Sequence, residues 1–368
     1  MTLVKNIVCF KCKREFSPKT IIFECDKCGG PLDIQYDYKI IKKHIIQESF
    51  IRETVNHWKY FPFYPINDFD KIVTFNEGGT PLIEAGKFLF KYEGVNPTGS
   101  FKDRGSTVEL TKAAELGVQE VVCASTGNMG ASVAAYAARA GMKSSIYVPT
   151  IATKEKILQI KAYGSKVVNV KGDYDEALCR TKVLRKERNV YLTGDYPYRG
   201  EGEKSVGFEI IDQLNWQVPD YIVCPIGNAT LIYSVFKAVS ELKAVGLLRK
   251  IPKIVGVQAK KCNPLVKAFN DKKELKIVKN PDTVASAIAC GNPVDGIKAL
   301  YGLKKSRGLA VDVTEREILD ARKKLGKMGI FAEPSGAVSY AGAMKLGLTG
   351  EVVCVVTGHG LKDNRKSL

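Results

Sequence analysis

From about residue 90 onward the chain alternates short apolar runs with longer stretches of helical periodicity, and this alternation restricts the fold more than any other feature. The apolar runs are Gln119–Ala124, Ser144–Val148, Lys166–Val170, Val190–Leu192, Tyr221–Cys224, Ile254–Gln258 and Val352–Val356. Between many of them lie stretches such as Ala131–Ala140, Asp173–Glu187 and Ala229–Leu242, which read as helices. Strands that alternate with helices predict an α/β protein with mostly parallel sheets. In such folds ligands gather at the carboxyl ends of strands, beside helix N-termini. A chain of 368 residues is long enough for two packed domains.

Residues 1–36 read as a separate small module. The pairs Cys9-x-x-Cys12 and Cys25-x-x-Cys28 flank a segment with a β-type stretch, Thr20–Glu24. The second pair runs into a turn, Gly29-Gly30-Pro31. Two such knuckles suit a tetrahedral zinc ion ligated by Cys9, Cys12, Cys25 and Cys28. A module this short buries little core, so a metal is expected to hold it together. A closed four-cysteine site leaves no open coordination position, which makes the expected role structural. The alternative is a ribbon that no longer binds metal. The other six of the ten cysteines stand alone and read as small hydrophobes, several of them within apolar runs. Residues 37–75 read as a helix and a connector wrapping the body, with His44 and His57 at the surface.

The net charge of +17 admits two readings, nucleic-acid binding or a lysine-rich solvated surface on an enzyme with anionic ligands. The basic residues are spread along helical stretches and form no long tail, which favours the second. Neither a nucleic-acid nor a membrane partner is therefore expected. No apolar run approaches the roughly 20 residues that cross a bilayer. No apolar signal core precedes the cysteines, so a cytoplasmic location is expected.

Four segments carry the candidate chemistry. In Asn96–Gly105, Pro97 and Gly99 make a turn and the residues after Lys102 read as a helix. Lys102 would stand near that helix's N-terminus among small residues. There a ligand can approach, and an ammonium loses its proton more easily, as bonding to a carbonyl cofactor requires. The second segment is Ser125-Thr126-Gly127-Asn128-Met129-Gly130, a Gly-rich turn between a strand and a helix. It presents backbone N–H groups to an anion, although Ser125 or Thr126 also suits a plain N-cap. The third, Gly227-Asn228-Ala229-Thr230, repeats the pattern and offers a second anion cradle. The fourth places Thr357 at the carboxyl end of the Val352–Val356 run. Each alone is compatible with an ordinary strand-to-helix loop. Three histidines without a base context give no Ser/His/Asp triad, and no Walker A or GxGxxG fingerprint appears.

Together these segments resemble the fold-type-II pyridoxal-phosphate (PLP) enzymes, and within them the threonine synthases, over nearly the whole chain. Glu77–Leu82 matches the family's EGGTPL segment, Pro97–Gly105 matches PTGSFKDRG, and the sequence TGHGLKD lies near the C-terminal end. The resemblance implies a two-domain α/β fold of the tryptophan synthase β type, following the zinc-ribbon-like module. The catalytic body would span 37–368, with about 85–200 containing the smaller inserted domain. It implies that Lys102 carries PLP as a Schiff base and serves as general base. Asn128 would contact the cofactor's 3′-oxygen, Gly227, Asn228, Ala229 and Thr230 would hold its phosphate, and Thr357 would bond its pyridine nitrogen. Ser125, Thr126 and Met129 would hold the substrate α-carboxylate. Arg199, and after it Lys156, would hold a leaving phosphate.

The implied reaction converts O-phosphohomoserine and water to threonine and phosphate. It is a lyase step of threonine biosynthesis on a small anionic amino acid, and a homodimer is a compatible assembly. Four departures stand out. Thr193-Gly194 replaces an Asn-Ser pair, Gly227–Leu231 reads GNATL where GNAGN is usual, Met129-Gly130 follows STGN where small or hydroxyl residues are usual, and Asp195 would repel a phosphate unless it points away. Most changes fall in the substrate pocket. They keep open a PLP-dependent β-replacing or β-eliminating paralogue, cysteate-synthase-like on O-phosphoserine or a threonine/serine dehydratase.

Overall fold

The computed structural model describes residues 3–45, 47–125, 127–150, 152, 154–188 and 190–363. Three sheets organise them. The central one has six strands in the order Leu309–Val313, Lys253–Ala259, Tyr221–Pro225, Val352–Val356, Phe88–Tyr92 and Leu82–Ala85. All its pairings are parallel except the last. The second sheet is wholly parallel, in the order Lys166–Val170, Lys143–Pro149, Glu120–Ala124 and Tyr191–Thr193. Helices cover the parallel strands, so an inner strand such as Val352–Val356 is buried at every position. That is why it reads as an unbroken apolar run rather than an alternation.

Sequence pattern located seven strands of these two sheets and missed three, all in the central sheet. Leu82–Ala85 and Phe88–Tyr92 form a hairpin whose two-residue turn begins at Gly86, with φ +62. A two-residue turn with Gly first matches the twist of the flanking strands. The pattern was hidden because Lys91, in the middle of that strand, is fully buried. Leu309–Val313 is an edge strand carrying Asp312.

The N-terminal sheet pairs Val4–Cys9 with Glu15–Phe16 and Leu32–Tyr36. The expected β stretch Thr20–Glu24 is not a strand. Its apolar side chain is used elsewhere: Phe23 packs edge-on against Tyr191 and Tyr196, at 5.1 and 5.0 Å between ring centroids. The same small sheet docks on the central body, where Lys237 meets Asp33 at 3.0 Å and Glu201 at 2.6 Å. Among the described residues, no helix is long and apolar enough to cross a membrane.

His44 is exposed as expected, but His57 is not. His57 is fully buried, stacked on Tyr64 at 5.0 Å, with Nδ1 3.0 Å from Ser205 Oγ. Burial, helped by the nearby Arg104 and opposed by Glu77, lowers its pKa to about 4. The unfolded chain takes up this proton near pH 6.5, and the folded one only near pH 4. Stability is therefore full above pH 6.5 and falls as the pH drops toward 4, by up to about 3 kcal/mol. Urea unfolding of His57→Gln is expected to lack this component of the pH dependence.

Candidate active site

Three strands end at one place. Ser125 follows Glu120–Ala124, Gly227 follows Tyr221–Pro225, and Thr357 follows Val352–Val356. All three residues line a single cleft, together with Lys102 and Asn128.

Lys102 begins the helix Lys102–Glu115. The turn before it is stitched to the last strand. Phe101 N donates to Thr357 O at 3.0 Å, and His359 N donates to Gly99 O at 2.9 Å. The lysine Nζ lies 3.2 Å from Glu203 Oε1 and 3.6 Å from Asp195 Oδ1. Burial works against the ammonium, but these two carboxylates outweigh it and raise the Lys102 pKa. The expectation that its place at a helix end would ease proton loss is thus overturned by its immediate neighbours.

The Ser125–Gly130 turn explains its own composition. Ser125 Oγ accepts from Gly127 N at 3.0 Å and Gly130 N at 2.8 Å, so it caps the helix Asn128–Arg139 while its O–H remains able to donate. At Gly127 a Cβ would stand 2.1 Å from Lys156 Cδ, which admits only glycine. Asn128 Nδ2 donates to Glu333 Oε1 at 2.6 Å. Its Oδ1 is buried without a hydrogen-bond partner among the described residues, an acceptor left for a ligand. Met129 also lines the cleft. Thr126 lies outside the described residues.

Gly227, Asn228, Ala229 and Thr230 lead into the helix Thr230–Ala244, with Ala229 left-handed at φ +71. The start of a long helix suits a phosphate. Asp195 points into this region rather than away from it. It accepts from Asn228 Nδ2 at 2.5 Å and Thr230 Oγ1 at 3.1 Å. The Asn128 amide, with a second Nδ2 hydrogen beyond the one given to Glu333, the helix start and the lysine together fit PLP.

The cationic residues divide. Lys156 is buried, with Nζ 3.4 Å from Ser286 Oγ and 3.7 Å from Glu333 Oε2, beside the cleft. Neither Lys156 nor Arg199 is among the residues that line the cleft, but Lys156 contacts Glu333, which is. The Arg199 guanidinium is fully buried on Glu109 at 2.7 Å, Ser106 Oγ at 3.0 Å and the Lys102 carbonyl at 3.1 Å. The expected phosphate contact from Arg199 is not met in this arrangement, because a buried carboxylate already holds the charge.

Sequence reasoning missed Glu333 and Ser335, which line the cleft at the start of the helix Pro334–Lys345. The Glu-Pro-Ser-Gly sequence was the available signal, since Pro at the first turn marks a helix start. It also missed Tyr174 and Cys290 on the cleft wall, for which no pattern stood out.

Away from the cleft, the Sγ atoms of Cys9, Cys12, Cys25 and Cys28 all lie within 4.8 Å of one another. Cys9 and Cys28 are 3.5 Å apart, and Cys12 and Cys25 are 3.6 Å apart. Zn–S bonds near 2.3 Å in a tetrahedron require sulfurs about 3.8 Å apart, so the residues fit a zinc ion.

A family model described as "Pyridoxal-phosphate dependent enzyme" matches residues 73–358. The threonine synthase of Methanocaldococcus jannaschii is 45% identical, over 96% of this chain and 92% of its own length. That of Methanosarcina acetivorans is 43% identical, over 97% and 92%. Among solved structures, threonine deaminase isoform 2 from Solanum lycopersicum superposes with a TM-score of 0.66 at 22% identity, covering 94% of this chain and 95% of that one. Maize serine racemase gives 0.67 at 22%, over 76% and 88%. These two likenesses show the fold.

Two outcomes follow from this geometry. Arg199→Ala leaves Glu109 buried without its counter-ion and is expected to cost roughly 3 kcal/mol or more in urea unfolding. Metal analysis of gently purified protein is expected to give one zinc per chain, and none for Cys25→Ser.

Proposed function

We propose a function from one premise: the chain belongs to the threonine synthase family of pyridoxal-phosphate dependent enzymes. It is a PLP-dependent lyase that converts O-phosphohomoserine and water to threonine and phosphate. The observation that carries the reading is the meeting of Lys102, Asn128, Gly227 and Thr357 at one cleft. The sheet that contains Glu120–Ala124 and Tyr191–Thr193 is read as the core of the smaller domain within about 85–200. The four-cysteine cluster is read as a structural zinc site.

The bound cofactor supplies an electron sink for negative charge that develops on the substrate. Lys102 Nζ is the group that would attach it and then move protons at the substrate α and β carbons. Thr357 would give the pyridine nitrogen a neutral partner, and Gly227 to Thr230 would take the cofactor phosphate at the helix start. Asn128 Nδ2, which gives one of its two hydrogens to Glu333, would donate the other to the cofactor's 3′-oxygen. The Ser125 hydroxyl, with Met129 as a wall, would orient the substrate α-carboxylate. Lys156 takes precedence over Arg199 for the leaving phosphate, because its nearest carboxylate stands 3.7 Å away at Glu333, whereas Arg199 is tied to Glu109 at 2.7 Å.

The test is product identification. Purified protein loaded with PLP is expected to release threonine and inorganic phosphate from O-phosphohomoserine. Lys102→Ala is expected to lose both the turnover and the long-wavelength absorbance of the attached cofactor. Turnover of O-phosphoserine with sulfite, or deamination of threonine or serine, without action on O-phosphohomoserine would select the β-replacing or β-eliminating alternative.

A further inference from the structure

The mechanism above leaves one buried acid beside the reacting nitrogen without a task. Glu203 ends the helix Pro197–Glu203, which packs on Lys102–Glu115. Its side chain is fully buried, with Oε1 3.2 Å from Lys102 Nζ. Its other oxygen, Oε2, has no hydrogen-bond partner among the described residues. A carboxylate that lacks water and half its hydrogen bonds persists only where a cation offsets the desolvation.

The charged groups facing Lys102 are Glu203, Asp195 and Arg199. Asp195 is the more distant carboxylate, and Asn228 and Thr230 already hold it. Arg199 is held by Glu109. Lys102 is therefore the cation in contact with Glu203, and Glu203 is the acid that Lys102 touches most closely.

We propose that Glu203 is the dedicated counter-ion of Lys102, a positioning residue that orients the Nζ nitrogen and stabilises the positive charge it carries, as the ammonium of the cofactor-free protein or after it takes up a substrate proton. The dependence is mutual. Burial raises the Glu203 pKa, and Lys102 is the largest influence opposing that rise. Each charge stabilises the other, so removing the carboxylate frees the lysine proton at lower pH.

The idea uses the cofactor reading for one arm of its test and stands apart from it in the other. In the PLP-loaded enzyme, the pH midpoint of the cofactor absorbance change is expected to fall by about one unit or more in Glu203→Gln. Glu203→Asp keeps the charge but retracts it, and is expected to shift the midpoint less. In protein stripped of cofactor, an amine-acylating reagent reports the free lysine, with Lys102 labelling mapped by mass spectrometry. Its midpoint is expected to fall in the same order.

Thermal melting of each variant separates a charge effect from a folding effect. Midpoints in folded Glu203→Gln within about 0.3 unit of wild type overturn the proposal. Should that variant not fold, Glu203→Asp decides, and an unmoved midpoint overturns the proposal. A wild type that takes up no PLP sinks the function reading, while the labelling arm still tests Glu203.

Discussion

Arg104 is the point from which the rest of the site is hung. Its guanidinium is fully buried and uses all three nitrogens. It meets Glu93 at 2.5 and 2.8 Å, Glu209 at 2.7 Å twice, and Ser205 Oγ and Thr80 Oγ1 at 3.0 Å. Lys91 joins through Glu209 at 2.8 Å. Two cations and two carboxylates balance in a dry interior, where losing any one would strand a buried charge. The network joins the Gly78–Pro81 segment, the Phe88–Tyr92 strand, the Lys102–Glu115 helix and the Ser205–Gln213 helix. Lys102 lies two residues before this anchor, so its backbone is fixed before any ligand arrives.

The residue between them extends the same logic. Asp103 accepts from Thr98 N at 2.7 Å, and from Thr98 Oγ1 and Ser132 Oγ at 2.6 Å each. It thereby locks the preceding turn and binds it to the helix Asn128–Arg139. Lys102, Asp103 and Arg104 thus serve the cleft, the turn and the core in succession. Close backbone approach completes the arrangement. A Cβ on Gly202 would fall 2.1 Å from the Arg104 carbonyl, so only glycine lets the Pro197–Glu203 helix come near enough to set Glu203 beside Lys102.

These facts show what a sequence discloses and what it withholds. The turns bearing Lys102, Asn128, Gly227 and Thr357 were legible because strand, small-residue turn and helix follow one another along the chain. Their turn type is set by neighbouring residues, although distant bonds such as Phe101 N to Thr357 O then fix them in place. The direction of a long side chain does. Arg199 stood in a promising segment, yet its target Glu109 lies ninety residues earlier, on a helix whose packing no local pattern reveals. His57 looked like a surface residue because its neighbours are polar and aromatic, while Ser205 and Tyr64 enclose it. Lys91 concealed its strand because its partner acid is 118 residues away.

The charge balance of the cleft follows from the same buried pairing. Lys102 faces Glu203 and Asp195, and Lys156 faces Glu333, so each cation beside the cleft already has a carboxylate. An anionic ligand then gains by exchanging partners rather than by meeting bare positive charge. Asp195 makes this concrete, since it takes hydrogen bonds from Asn228 and Thr230, the residues assigned to the cofactor phosphate. The same donors cannot serve two anions at full strength, and two anions at that spacing repel. The contact of Asp195 with Lys102 gives its carboxylate a partner that does not depend on the cup. The net charge of +17 therefore describes the protein's surface more than its active site, where acids and bases are matched.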